Sequence, residues 1–594
     1  MKKVIVFLLV TGLSGAITLK PASAAAVNTP DSIKPGAVRP SLKIRKPPSL
    51  DLNKPIDIPA VVDRPLGIDD GPKILISSIQ LTGQAIDRPE YDVSVEAMNE
   101  LLNNELKAYP DGITMGQMQE ISEKLTEYYR IRGFILAQAF VPSQKITSDS
   151  IEIKVLEGRL GHVFSENNDY YSLQTLRRTL KTLIGKPVIK DEIESAVLEL
   201  LDFPGLSVSA VFRPGEKEIG TTDIILKVQK EVKFNLVANL DNYGSQFSGV
   251  YRPRIDTVVN NPTGNGDVLS ASFMHSIDPG LTQFGAVNYQ APLFTPFSSH
   301  PITMGVSISH EKFKVGGEFT DLEIRGETST AGVNFKYPLM KSRLGKLDLH
   351  VDLSRKRART LNRGERQSSD DLAVLTAGWN FEYIDLLLGG GRGAGNQGGV
   401  YLVQGFSDVL GSMERDSEDS SRVGGSGKKA GGEYTKVVGN FTRLQNLGGG
   451  VSIMFRVDGQ WSDDLLVSLE QYSLGGPFNV RAYPQSETLV DSAYFGSAEF
   501  AVNAPGFADI PAFMGYSWGQ ILQFSTFVDY VSGYINDPRP GIEKHNTLAG
   551  YGVGAKVTLP GILQINLTTA FPITKEDASN NHKPQTFFSV SVQY

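Results

Sequence analysis

Val451-Ser452-Ile453-Met454-Phe455-Arg456-Val457-Asp458-Gly459-Gln460-Trp461 sets Val451, Ile453, Phe455, Val457 and Trp461 against Ser452, Arg456, Asp458 and Gln460. Successive side chains of a strand point to opposite faces, so this run has an apolar side and a polar side. The same period of two holds almost throughout 232–594. At its start Val232, Phe234, Leu236, Ala238 and Leu240 interleave with Lys233, Asn235, Asn239 and Asp241. Near its end Ile565, Leu567 and Phe571 interleave with Asn566 and Thr568. The chain closes on Phe588, Val590, Val592 and Tyr594, with Ser589, Ser591 and Gln593 between them. Segments of about ten residues, apolar outward and polar inward, mark a β-barrel in lipid. A closed barrel is also the only β solution that leaves no unpaired backbone in hydrocarbon. A soluble sandwich alternates too, but rarely needs so long a run with so little helix. At roughly 23 residues per strand and connection, about 16 antiparallel strands, give or take two, fill the barrel region 231–594.

The 594-residue chain has no cysteine, which removes disulfides and thiolate metal sites. A net charge of −7 and a pI near 5.7 give no basic footprint for nucleic acid. The first 24 residues read as a secretory signal: Lys2 and Lys3, an apolar core from Val4 to Ile17, and the small-residue cleavage site Ala22-Ser23-Ala24. No later stretch approaches the ~20 apolar residues of a spanning helix. Residues 25–72 are punctuated by Pro30, Pro35, Pro40, Pro47, Pro48, Pro55, Pro59, Pro65 and Pro72. Proline blocks helix interiors, so an extended linker is expected. Its Lys34, Arg39, Lys43, Arg45, Lys46 and Lys54 fit a solvated spacer or a basic strap threading an acidic pore.

Residues 73–158 predict a small α/β unit. Ile74 to Ile76 and Ile79 to Leu81 start a strand, and two helices follow. Met118, Ile121, Leu125 and Tyr128 line one face of the second helix, which Gly133 ends. Phe134 to Val141 and the alternation of Ile151, Ile153 and Val155 give two closing strands. Residues 159–230 repeat the plan. Leu173, Leu176, Leu180 and Leu183 form one helical stripe; Ile193, Val197 and Leu200 form another. Alternating runs at Leu206–Phe212 and Ile224–Val228 follow. Two units of order β-α-α-β-β make an internal repeat. Residues 389–432 interrupt the barrel rhythm with glycines from Gly389 to Gly399, then the charges Arg415, Asp416, Glu418, Asp419, Arg422, Lys428 and Lys429. A long mobile surface loop is expected there.

No catalytic or cofactor motif survives inspection. Gly393-Ala394-Gly395-Asn396-Gln397-Gly398 fits GxGxxG but lacks a βαβ setting. Gly427-Lys428-Lys429 lacks the rest of a P-loop, and Gly424-Gly425-Ser426-Gly427-Lys428 is a broken nucleophile elbow. The seven histidines show no metal-ligand spacing. Neither an enzyme nor a cofactor is expected.

Arg481 stands apart, in Gly475-Gly476-Pro477-Phe478-Asn479-Val480-Arg481-Ala482-Tyr483, among apolar and aromatic neighbours. Downstream, Ser525, Phe527 and Asp529 share one strand face while Phe524, Val528 and Tyr530 share the other. The second set suits lipid, so Asp529 is expected in the lumen. Arg481 and Asp529 are then either a two-toothed ion pair or two of many lumen charges.

These residues resemble the two-partner secretion transporters (TpsB, hemolysin secretion/activation type), within the outer-membrane superfamily that joins periplasmic POTRA domains to a 16-stranded barrel. The matches include Tyr129, Arg132-Gly133-Phe134, Pro142, Gln144 and Glu157-Gly158, then Pro204-Gly205 and Pro214-Gly215. Asp241-Asn242-Tyr243-Gly244, Gly249, Arg252, Asn261-Pro262-Thr263-Gly264-Asn265-Gly266-Asp267 and Tyr337-Pro338-Leu339 continue them. Val480, Arg481, Ala482 and Tyr483 look like the family's Val-Arg-Gly-Tyr motif, with Ala482 for glycine, at the tip of a loop folded back into the pore. Phe527 and Asp529 resemble the wall motif whose aspartate pairs with that arginine; Val531 stands where glycine is usual. The resemblance implies POTRA 1 at 73–158, POTRA 2 at 159–230 and a 16-stranded transmembrane barrel at 231–594. It implies a secreted, unfolded β-helical exoprotein partner captured by the POTRA domains, outer-membrane lipid around the barrel, and barrel assembly machinery in biogenesis. Phe588, Val590, Val592 and Tyr594 would be the C-terminal barrel signal. Family members also tend to carry an N-terminal plug helix, for which the prolines of 25–72 leave little room. An assembly factor that inserts other barrels is the alternative within the superfamily; a passive porin or adhesin is the alternative outside it.

Overall fold

The computed structural model describes residues 31–34, 71–145, 149–215, 220–277, 281–294, 300–389, 391–574 and 578–594. The signal expected at 1–24 and nearly all of the 25–72 linker lie outside them. Among the described residues no helix is long and apolar enough to cross a membrane.

The first unit contains β1 (Ser78–Gly83), α1 (Val95–Leu106), α2 (Met115–Ile131), β2 (Gln138–Phe140) and β3 (Ser150–Leu156). Helix α2 begins at a reciprocal cap, in which the Thr114 hydroxyl takes the Gln117 amide and the Gln117 side chain takes that of Thr114. It ends at Gly133, whose φ of +92° suits glycine. Its apolar stripe Met118, Ile121, Leu125 and Tyr128 packs with Met98, Leu102, Ile151, Ile153 and Val155 in one core. The strand expected over 134–141 is confined to β2. After Gly133 the chain turns instead, with the Phe134 amide bonded to the Tyr129 carbonyl and that of Ala137 to Phe134. Phe134 and Ala137 are thereby buried, and Phe134 makes only a single antiparallel bridge, to Ile189.

The second unit repeats the order: β4 (Arg159–Glu166), α3 (Leu173–Arg177), α4 (Lys190–Leu201), β5 (Leu206–Pro214) and β6 (Thr221–Glu231). The sheets run β1-β3-β2 and β4-β6-β5. In each, the first strand is parallel to the last and the middle one antiparallel to it.

The rest is a closed barrel of sixteen strands. These are β7 (Phe234–Asp241), β8 (Arg252–Asn260), β9 (Val268–His275), β10 (Thr282–Leu293), β11 (Ile302–Lys314), β12 (Arg325–Lys341), β13 (Gly345–Asn362), β14 (Glu365–Asp385), β15 (Ala394–Phe406), β16 (Tyr434–Gly448) and β17 (Val451–Trp461). A hairpin of β18 (Tyr472–Leu474) and β19 (Thr488–Val490) intervenes before β20 (Ser492–Asn503), β21 (Leu522–Tyr534), β22 (His545–Leu559), β23 (Leu563–Pro572) and β24 (Gln585–Gln593). Every neighbour is antiparallel, and β24 closes on β7 in the register Ser589–Asp241 to Gln593–Val237. At the seam the Tyr594 and Leu236 backbones exchange hydrogen bonds of 2.8 and 3.1 Å. Val592 and Tyr594 stay exposed, while Phe588 and Val590 are half-buried. On β17, Phe455, Val457 and Trp461 are 45–57% exposed, whereas Asp458 and Gln460 are at most 9% exposed. An apolar outer belt around a polar interior is the pattern of barrel strands whose solvent is hydrocarbon.

One expectation is corrected. Residues 394–406, placed in the loop 389–432, form barrel strand β15. Glycine read as a loop signal, but here it makes room for rings. A Cβ at Gly398 would sit 2.7 Å from the Phe381 ring, and one at Gly405 would sit 2.4 Å from that of Tyr434. Besides the short β14–β15 turn before Ala394, what remains outside the strands is 407–433, and it is bonded to its surroundings.

Candidate functional site

The link between β17 and β20 does not stay outside. Its strands β18 and β19 pair through Tyr472–Val490 and Leu474–Thr488, and the tip between them descends into the lumen. The Gly475-Gly476 pair, at φ of +83° and +100°, turns the chain where any Cβ would strike Pro484 or Gln485. Asn479 closes the turn, accepting from the amides of Gly475 and Val480.

Arg481 leaves this tip toward the middle of β21. Its Nε donates to Asp529 Oδ2 at 2.8 Å and its Nη2 to Oδ1 at 2.9 Å, the fork geometry of a guanidinium on a carboxylate. The Arg481 backbone amide adds a third bond to Asp529 Oδ2 at 3.1 Å. Nη1 reaches Glu499 at 2.6 Å, and Ser497 bridges Nη2 and Asp529. The guanidinium carbon lies 3.3 Å from the Phe527 ring centroid, close enough for a cation–π contact. The Asp529 side chain has no exposed surface and that of Arg481 is 9% exposed. Phe524, Val528 and Tyr530 face outward on the same strand.

The rest of the motif is apolar packing. Val480, Ala482 and Tyr483 are fully buried with Leu474, Val490, Phe495, Phe527, Val531 and Leu548. Val531 fills part of this cluster. Ala482 is met by Gly550 of β22, where an added Cβ would come 2.4 Å from the Ala482 Cβ. The glycine of this contact stands on the wall and the methyl on the loop. Gly533 is kept small by Val490 in the same way. The Tyr483 hydroxyl bonds Thr574, and Asp31, in a single 3-10 turn Asp31–Ile33, accepts from the Leu489 amide at 2.9 Å. Higher on the hairpin, Glu470 is gripped by Lys356 of β13 at 2.6 Å and Lys436 of β16 at 2.9 Å.

Sequence alone singled out Arg481, Phe527 and Asp529, which lie together. It missed Glu499 and Ser497. The signal was available, because Ser497 and Glu499 alternate with Ala498 and Phe500 on β20 and so share the lumen face. The Phe588–Tyr594 segment lies at the seam, apart from this site.

At the opposite end of the barrel, Asn261 to Asp267 form a braced turn. The Asn261 amide donates to the Asp267 carbonyl, and the Asn261 side-chain oxygen accepts from the Gly266 amide. The turn receives the second α/β unit: Tyr170 donates to the Asn260 carbonyl at 2.6 Å and Thr175 to that of Gly264 at 2.7 Å.

Residues 220–557 match the family model "Haemolysin secretion/activation protein ShlB/FhaC/HecB", and residues 92–158 match the ShlB-type POTRA domain. The heme/hemopexin transporter protein HuxB of Haemophilus influenzae is 23% identical over 518 residues, 85% of this chain and 86% of its own. The outer membrane transporter CdiB of Escherichia coli is 25% identical over 255 residues, 43% of this chain and 41% of its own. Among solved structures, Escherichia coli CdiB superposes with a TM-score of 0.68 at 18% identity, covering 91% of this chain and 94% of its own. BamA from Haemophilus ducreyi superposes at 0.50 and 16% identity, over 88% and 100%.

Proposed function

The chain belongs to the haemolysin secretion/activation family ShlB/FhaC/HecB, and we propose that it secretes one large, unfolded, β-rich exoprotein by two-partner secretion. It is an outer-membrane transporter with its POTRA region in the periplasm. In our reading two POTRA units, 73–158 and 159–230, capture the cargo. Their sheets leave β1 and β2, and β4 and β5, as edges, and an extended chain can add a strand to such an edge. The cargo then enters the barrel, the hairpin tip yields, and folding outside makes the passage one-way. No step breaks or forms a covalent bond. The apolar belt sits in outer-membrane lipid, and the Phe588–Tyr594 strand is the segment that barrel assembly machinery would read.

The observation that carries this reading is the hairpin lying across the lumen, held by Arg481 on Asp529 and Glu499. An unpaired charge left there would cost about 3–5 kcal/mol, so the pair is a lock whose release needs a compensating event. Entry of a chain that displaces the tip supplies one. Arg481→Ala and Asp529→Ala should each sharply reduce release of the exoprotein while the barrel still inserts, as judged by heat-modifiable migration of membrane fractions. Undiminished secretion by both variants refutes the role of the pair.

A further inference from the structure

At the barrel's outer mouth, away from Arg481, a second buried ion pair joins three loops. Asp491 ends the hairpin, between β19 and β20, and its side chain has no exposed surface. It receives both terminal nitrogens of Arg422, Nη2 at 2.6 Å. It also accepts the Leu466 amide at 3.1 Å and the Asn536 amide at 2.7 Å. Arg422 itself continues to the carbonyls of Leu466 at 2.6 Å and Asn536 at 3.1 Å. One carboxylate and one guanidinium thus gather the descending limb of the hairpin, its root, the β21–β22 loop and the 407–433 loop. The Arg422 side chain is 15% exposed, so the pair is shielded from water.

The 407–433 loop is fastened along its length. Ser421 donates its amide and hydroxyl to Asp370 on the wall strand β14, at 2.9 and 2.6 Å. Gly425 and Ser426 bond Asp537 of the β21–β22 loop. Met413 and Ala430 pack with Leu465, Leu466 and Val467 of the hairpin limb. None of these residues touches the Arg481 site.

We propose that 407–433 is a lid latched by Arg422 to the root of the pore hairpin, so that lid and hairpin move as one gate. If the hairpin leaves the lumen, Leu466 is carried away, so Asp491 loses its amide and Arg422 its carbonyl, and the pair, still rooted at Tyr534 of β21, is opened to water. If the lid lifts, Asp491 loses its cation, and the upper end of the hairpin is left to its Glu470 contacts with Lys356 and Lys436. Each movement removes the free-energy cost of the other, and such coupling is reciprocal. Arg422 is a positioning residue here: it holds the gate and touches no cargo. The proposal deepens the transport reading by adding regulation to the same pore, and rests on it.

The test uses the full-length protein alone. Purified barrel in planar bilayers gives the open fraction, and limited trypsin digestion of the same protein in liposomes gives the cleavage rate at Arg415, Lys428 and Lys429 of the lid. Arg422→Ala should raise the open fraction at least about fivefold although Arg481, Asp529 and Glu499 are untouched, and Arg481→Ala should speed lid cleavage at least about fivefold although it lies outside the lid. Asp491→Asn, which keeps the shape of the root, should act in the same direction as Arg422→Ala. An unchanged lid cleavage rate in Arg481→Ala, or an unchanged open fraction in both Arg422→Ala and Asp491→Asn, overturns the coupling. Because neither readout needs an exoprotein, failure to secrete one would count against the transport reading and leave the gate standing.

Discussion

The hairpin tip and the second α/β unit are both fastened to the barrel through basic side chains, yet Arg481 meets a carboxylate with no exposed surface while Lys341 divides between the buried Glu199 and the half-open Asp202. Lys341, at the periplasmic end of β12, holds Glu199 at 2.9 Å and Asp202 at 2.6 Å, and the Asp202 side chain is 47% exposed. Arg343 adds Glu194 at 2.8 Å. Around them lie the Tyr170 and Thr175 bonds and the Arg178–Asn265 bond at 3.0 Å. The joint is spread over many contacts, several of them wet. The hairpin lock is concentrated on one cation inside a protein-lined lumen. Pairing is worth little where water competes and much where one partner's loss strands the other. The first arrangement suits a joint that survives the loss of any one contact, the second a switch.

The largest effect therefore falls on Asp529. Asp529→Ala leaves Arg481 with only Glu499 and Ser497 and should weaken hairpin docking by about 3–5 kcal/mol. At tenfold per 1.4 kcal/mol, the open-to-closed ratio in single-channel recordings should rise more than about a hundredfold. Replacing both partners, Arg481→Met with Asp529→Leu, should recover part of the closure, because the fully buried site is then uncharged and only Glu499, whose side chain is 18% exposed, loses its cation. A double variant as open as the single one would show that the hairpin is held by charge alone, not by removal of an uncompensated charge.

Much of this was legible in the chain. The period of two placed Asp529 in the lumen and Phe524, Val528 and Tyr530 in lipid, because side-chain direction along a strand is fixed by backbone geometry. The helical stripes of α2 and α4 were legible for the same reason, whereas the stripe expected from Leu173 to Leu183 is split between α3 and a 3-10 turn at Lys181–Leu183. The partners across the lumen were not, since Glu499 lies on a neighbouring strand and only register brings it opposite Phe527. The loop at 407–433 misled more deeply. Its charges resemble a solvated tract, but Arg422, Ser421 and Ser426 are spent on Asp491, Asp370 and Asp537, each distant in sequence. Nor does a glycine reveal whether it frees a loop or, like Gly398, yields space to a neighbouring ring.

A smaller effect should follow from shape. Gly550→Ala adds a methyl 2.4 Å from the Ala482 Cβ, too close to coexist with the docked hairpin. Overpacking of this kind costs typically ~1–3 kcal/mol, so the open fraction should rise by about fivefold or more. Adding Ala482→Gly to that variant should restore closure by moving the missing methyl from the wall to the loop. If the pair of substitutions is no better than Gly550→Ala alone, the tip docks against something other than this wall.

The smallest single effects belong to the periplasmic joint, and how they combine tells the two regions apart. Lys341→Ala frees both Glu199 and Asp202 while Tyr170→Phe removes one hydrogen bond; each should weaken docking less than loss of Asp529 weakens the hairpin, Tyr170→Phe by about 1 kcal/mol. Lys341 and Tyr170 have no partner in common among these bonds, and distant, independent sites add within about 0.5 kcal/mol. Hydrogen exchange across α4 and the 261–267 turn should therefore rise modestly in each variant and by the sum in the double. At the hairpin, Asp529→Ala and Glu499→Gln act on one guanidinium and should depart from additivity by about 0.5–3 kcal/mol. If the joint also departs from additivity, its contacts share a cooperative element, and the contrast between a distributed joint and a concentrated lock fails at the joint, with the lumen pair unaffected.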